Sequence, residues 1–232
     1  TLFRSLAARS GTTVSLRDTA SGEELLSIPK TAAFLFDPAG KRLATASAES
    51  AGAKECTIAI WDVAQRAQQN AYVIKTNYLA RLAFTPDGSR LFAGAQIAAE
   101  DGSLQGPVYS WNLAAGTAGP TLEGHKGQVS CLAFSADGAL LATGSHDDTM
   151  ILWDAAAGAQ KLQLTGHSDN ILAIAFSPDA RRLVSASQDG AFKLWDTQDG
   201  REILTLQASA LEAEGQSVAP EQCAFTPDAR RL

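Results

Sequence analysis

The stretch LEGHKGQVSCLAFSADGALLATGSHDDTMILWD, Leu122–Asp154, returns 42 residues later as LTGHSDNILAIAFSPDARRLVSASQDGAFKLWD, Leu164–Asp196. Each copy carries a Gly-His pair, a Phe-led polar turn and a Trp-Asp pair at fixed offsets. Working outward, Trp61, Trp111, Trp153 and Trp195 occupy one kind of slot, spaced 50, 42 and 42 residues apart, and Arg17 in TVSLRDT holds a fifth. The turn marker recurs as FDPAGKRL from Phe36, FTPDGSRL from Phe84, FSADGALL from Phe134, FSPDARRL from Phe176 and FTPDARRL from Phe225. The two markers alternate along the chain, so it is built of repeated units.

Each marker has a local meaning. Pro presets φ for a turn, Asp bonds its own backbone and Gly accepts positive φ, so the chain reverses at every Phe-led marker. Short apolar runs rich in β-formers flank these turns: VSCLAF and ILAIAF before them, LLATGS and RLVSAS after, then MILWD and FKLWD, then KLQLTG and EILTL. That gives four strands per unit and no helix-period run, hence an all-β class. A single such sheet has apolar residues on both faces, so the units must stack.

These residues resemble the WD-repeat β-propeller family, in which each repeat supplies a four-stranded antiparallel blade. The resemblance spans nearly the whole chain and is strongest over Leu122–Leu206. It implies one propeller over residues 1–232, with four full blades at about 31–208 and partial blades at 1–29 and 218–232. About five repeats are visible. Seven blades of about 42 residues would need about 294, and with no Met at the start the chain reads as a segment of a larger ring, the alternative being head and tail joined as a fifth blade. The resemblance also implies two hydrogen-bonded tetrads: His125, Ser145, Asp147 and Trp153, then His167, Ser187, Asp189 and Trp195.

Those same residues include the parts of a Ser-His-Asp triad. Their recurrence at a 42-residue offset marks architecture rather than an active site, and the chain is expected not to be an enzyme. Earlier repeats lack Gly-His, and the repeat ending at Trp111 has Asn112 for Asp and Ala95 where Ser145 and Ser187 stand. Blades between about residues 30 and 120 are therefore expected to be looser.

Composition narrows function further. Hydrophobic residues make up 45% and charged residues 19% of 232, which excludes a disordered chain, and no apolar run is long enough for a spanning helix. No signal peptide is legible, which favours the cytoplasm. Cys56, Cys131 and Cys223 form no CxxC pair, and His146 beside Asp147 and Asp148 reads as an exposed turn, so no metal or cofactor is expected. Neither phosphate-binding glycine motif occurs. The net charge of -6 and the small aromatic supply argue against nucleic acid.

Interruptions of the repeat point to a binding face. From turn Phe to Trp the regular repeats take 19 residues, but those ending at Trp61 and Trp111 take 25 and 27, with the excess between second and third strands. From Trp195 to Phe225 the distance is 30 instead of 23, the excess lying before the next first strand. In an antiparallel meander these connections emerge on one side. They carry Glu49, Glu55, Glu100, Asp101, Glu212, Glu214 and Glu221 against Lys54 alone, while the rest of the chain balances 18 basic against 18 acidic residues. The expected function is a protein-protein interaction scaffold whose acidic rim meets other proteins through basic segments, without nucleic acid or membrane. Two alternatives stay open: a sensory or regulatory module of a longer protein with a separate catalytic domain, and a propeller enzyme with an axial pocket.

Overall fold

The computed structural model describes residues 5–47, 54–76, 81–207 and 223–226. Among them every regular element is a strand, and the strands form five consecutive antiparallel sheets. The first has β1 (Ser5–Ser10), β2 (Thr13–Asp18) and β3 (Glu24–Ile28). The second has β4 (Thr31–Phe36), β5 (Arg42–Ser47), β6 (Glu55–Asp62) and β7 (Ala67–Lys75). In the third are β8 (Arg81–Phe84), β9 (Arg90–Gly94), β10 (Ile97–Ala98), β11 (Leu104–Asn112), β12 (Thr117–Ala118) and β13 (Leu122–His125). The fourth has β14 (Val129–Phe134), β15 (Leu140–Ser145), β16 (Met150–Asp154) and β17 (Ala159–Leu164). The fifth has β18 (Ile171–Phe176), β19 (Arg182–Ser187), β20 (Ala191–Asp196) and β21 (Glu202–Gln207).

The turns form as their residues dictate. In the third sheet the Thr85 hydroxyl donates to Asp87 Oδ1 at 2.6 Å and the Gly88 amide to the Thr85 carbonyl at 2.8 Å, with Gly88 at φ 69. Ser135 with Asp137 and Ser177 with Asp179 repeat the hydroxyl bond at 2.6 Å. At Ala180 a residue with a Cβ takes the glycine's place at φ 58.

Stacking places the core between sheets. Met150, Leu152 and Leu164 of the fourth sheet pack with Ile171, Leu183 and Trp195 of the fifth. Phe92, Val108 and Leu122 of the third meet Val129, Leu141 and Trp153 of the fourth in the same way. The first strands β4, β8, β14 and β18 lie against one another in succession, so the sheets meet along their inner edges as blades do. Gly94 and Gly144 permit this approach: a Cβ on Gly94 would stand 2.5 Å from Val129 Cγ1, and one on Gly144 2.6 Å from Ile171 Cγ2.

The third sheet departs from four strands per unit. Its outer strand is split into β12 and β13 around Gly119-Pro120, where Pro has no amide to donate. Ser110 Oγ instead donates to the Pro120 carbonyl at 2.8 Å. The excess residues before β11 form a hairpin, with β10 pairing Ile97 to Gln105 and Ala98 to Leu104.

Candidate functional site

In the fourth sheet, β13 delivers His125 from the preceding sheet to the face of β15 and β16. His125 Nδ1 lies 3.0 Å from Asp147 Oδ2, and its Nε2 lies 2.8 Å from Thr143 Oγ1, which also accepts from Trp153 Nε1 at 2.9 Å. The Asp147 carboxylate can only accept, so the imidazole carries a proton on Nδ1. The fifth sheet repeats this: His167 Nδ1 to Asp189 Oδ2 at 2.8 Å, His167 Nε2 to Ser185 Oγ at 2.7 Å, and Trp195 Nε1 to Ser185 Oγ at 2.9 Å.

The hydroxyl in each network is thus not the one the sequence suggested. Ser145 and Ser187 stand two residues beyond Thr143 and Ser185, roughly 6.8 Å further along the strand, out of reach of indole and imidazole. They accept instead from the amides of Asp147 at 3.2 Å and Asp189 at 3.1 Å, starting the turns that hold those carboxylates. Strand register decides this, since Trp153 pairs with Leu141 and Trp195 with Leu183, so each indole reaches only the next hydroxyl on its face.

Burial works against ionisation of Asp147. The bonds from His125, from the Thr149 hydroxyl and from the Lys126 amide outweigh it and hold the carboxyl below the usual range. Asp189 is lowered in the same way against burial, by the Ser168 amide, His167 and the Ala191 amide. Thr143 and Ser185 are both 0% exposed. Although Ser185, His167 and Asp189 are connected in the order of a hydrolytic triad, the hydroxyl lies beneath Trp195 with no open side toward a substrate.

Earlier sheets replace the network in two ways. In the second sheet Trp61 Nε1 still donates to Thr45 Oγ1 at 3.0 Å, with no histidine beside it. In the third, Ala93 occupies the place of Thr143, as the pairing of Leu91 with Trp111 shows. Trp111 there stacks on Tyr72 at 5.1 Å and lies 6.4 Å from Tyr109, whose hydroxyl donates to the Lys75 carbonyl at 3.1 Å. Tyr72 and Tyr109 carried no signal of this role, because their register against Trp111 is a property of the paired strands. Arg17, in the fifth Trp slot, is exposed and pairs with Glu24 at 3.5 Å.

Of the seven acidic rim residues, Glu55, Glu100 and Asp101 are exposed, and Glu49, Glu212, Glu214 and Glu221 lie outside the described residues. Glu55 opens β6, and Glu100 and Asp101 form the tip of the β10–β11 hairpin on the next sheet. That tip is tied by Ser103, which donates to Asp101 through its hydroxyl at 2.7 Å and its amide at 2.9 Å; these bonds lower the carboxyl's pKa. Below the hairpin opens a cleft of about 350 Å³ lined by residues including Gln105, Pro107, Tyr109, Glu123 and Lys126. His146 is exposed. Among the described residues no three His, Cys, Asp or Glu side chains converge on a metal-sized site, and no helix is long and apolar enough to cross a membrane.

Consecutive antiparallel sheets sharing cores face to face, each keyed by Trp or its substitute, define an all-β repeat protein of propeller blades. Residues 116–154 and 158–196 match the family described as WD domain, G-beta repeat, so the fourth and fifth sheets are built on two adjacent WD repeats. Over 69 residues it is 38% identical to Periodic tryptophan protein 2 homolog of Schizosaccharomyces pombe, a region covering 30% of this chain and 7% of that protein.

Proposed function

We propose that this chain is a non-enzymatic protein-interaction module whose insertion-bearing rim docks a basic segment of a partner protein. The observation that carries the reading is the β10–β11 hairpin. It extends a blade beyond the repeat pattern and presents Glu100 and Asp101 to solvent with Leu104 beside the tip, 47% exposed. The blades stack through their faces, so a hairpin added at one end changes what a blade presents without changing how it stacks. Carboxylates on such a projection attract Lys and Arg, speeding encounter and rejecting acidic partners. The buried hydroxyls of Thr143 and Ser185 support an architectural role for the polar networks.

The test is a binding comparison between the intact chain and the Glu55→Gln/Glu100→Gln/Asp101→Gln variant against a Lys/Arg-rich peptide panel at low and moderate salt. Selective binding that weakens with salt and with the triple substitution supports the reading. Binding that is indifferent to both overturns the acidic rim as the docking surface.

A further inference from the structure

The second sheet has the hydroxyl and indole of the later networks but no imidazole between them. Trp61 pairs with Leu43 and Thr45 with Ala59, the register that Trp153 and Thr143 hold against Leu141 and Ile151. Thr45 is 4% exposed. Its oxygen accepts from Trp61 at 3.0 Å, while its own proton finds no acceptor among the described residues. Thr143 and Ser185 each have an imidazole Nε2 within 2.8 Å, of His125 and His167, and a strand carbonyl, of Ile151 and Lys193, at the limit of reach. Beside Thr45 and Trp61 lies a cleft of about 130 Å³, walled also by Ile28, Pro29, Thr31 and Ala59.

The cause lies in a shorter connection between the first and second sheets. Val14 pairs with Ile28 as Val108 pairs with Leu122, and Thr31 pairs with Ser47 as Val129 pairs with Ser145. Only Pro29 and Lys30 therefore stand where residues 123–128, with His125, stand later. Leu26 packs in the cluster of Val14, Ile28 and Leu43, and the place beside Trp61 receives no side chain from the connection.

We propose that this cleft is a binding site for a neutral azole ring, an imidazole presented in trans whose unprotonated nitrogen accepts from Thr45 while its face lies against Trp61. A hydrocarbon ring leaves the Thr45 proton unspent.

The experiment follows the indole N–H resonances of the full ¹⁵N-labelled chain during titration with 4-methylimidazole at about pH 8.5, two units above the ordinary imidazole value. A saturable shift of Trp61, with Trp153 and Trp195 unmoved, is expected. Thr45→Val should weaken the response at least about tenfold, the loss of one buried hydrogen bond. Unchanged Trp153 and Trp195 signals report that this variant is folded. A response to toluene equal to that for 4-methylimidazole, or one that survives Thr45→Val, overturns the proposal, as does no saturable shift. A blocked His-containing tripeptide binding more tightly than 4-methylimidazole identifies a partner's side chain as the source, and equal binding a free azole. Because Glu55, Glu100 and Asp101 take no part, failure here leaves the acidic-rim reading standing.

Discussion

Trp153 Nε1 donates to Thr143 Oγ1 at 2.9 Å across two neighbouring strands, and both residues are buried beneath the histidine that the preceding sheet sends over. One hydroxyl therefore serves an indole and an imidazole at once, tying three strands from two blades.

Removing that hydroxyl should cost more than removing its neighbour. Thr143→Val leaves an indole N–H and an imidazole nitrogen unpaired in the core, at about 1–3 kcal/mol each. Ser145→Ala loses one bond to an amide, worth about 1 kcal/mol. Urea unfolding of both variants checks the order, and equal losses contradict it. Ser185→Ala against Ser187→Ala repeats the test in the fifth sheet.

Acid should weaken the same networks. Asp147 and Asp189 have carboxyls below the usual range, so their contribution is complete above the unfolded value of about 3.9 and is lost as pH falls through the lower folded values. Unfolding free energy should decline on acidification below about pH 5. The Asp147→Asn/Asp189→Asn variant should be less stable at neutral pH and show a shallower acid slope; an unchanged slope would place the acid sensitivity elsewhere.

Ala180 sits at φ 58 in a turn where Gly40, Gly88 and Gly138 hold φ 66, 69 and 72. Left-handed backbone at a residue with a Cβ costs roughly 1 kcal/mol. Ala180→Gly should recover part of that, raising the thermal midpoint despite the added freedom of the unfolded chain. A lowered midpoint would mean the turn is not strained.

Gly94→Ala should act in the opposite sense. The new Cβ would meet Val129 at 2.5 Å, and Val129 is a stiff β-branched side chain on the next blade's inner strand. Overpacking of this kind costs typically about 1–3 kcal/mol, read as a lower midpoint in denaturant. A silent substitution would show that neighbouring blades can separate.

Hydrogen exchange should rank the blades. Among the described residues, networks joining His, Asp, hydroxyl and Trp exist in the fourth and fifth sheets, whereas the second has the Trp61–Thr45 bond, and Trp111 of the third stacks on Tyr72 of the second, whose buried hydroxyl finds no partner there. Amides of β5, β6 and β9 are expected to exchange faster than those of β15, β16, β19 and β20. Uniform protection would remove the networks as the source of unequal stability.

Much of the fold was legible because each strand's alternation and each Pro-Asp-Gly turn is a local property of the chain. The Phe-led markers at Phe36, Phe84, Phe134 and Phe176 set the first turn of the second to fifth sheets, and the apolar runs between them set the strands; the marker from Phe225, in the partial blade expected at 218–232, lies largely outside the described residues. The split outer strand of the third sheet was not read from Gly119-Pro120; it shows only in the structure, where Ser110 takes up the Pro120 carbonyl. The choice between Ser145 and Thr143 was not legible: both hydroxyls lie on one face of β15, and only pairing of Leu141 with Trp153 says which the indole reaches.

Sequence by itself determined that the chain is a run of Trp-keyed β-sheets, since repetition, turn chemistry and strand propensity act within a few residues. Tertiary structure alone decided which hydroxyl completes each network, that Tyr72 and Tyr109 take over around Trp111, and that the second sheet keeps an empty place beside Trp61. Those outcomes depend on register between strands and on how closely one sheet's outer strand approaches the next sheet, and neither distance is written in local sequence.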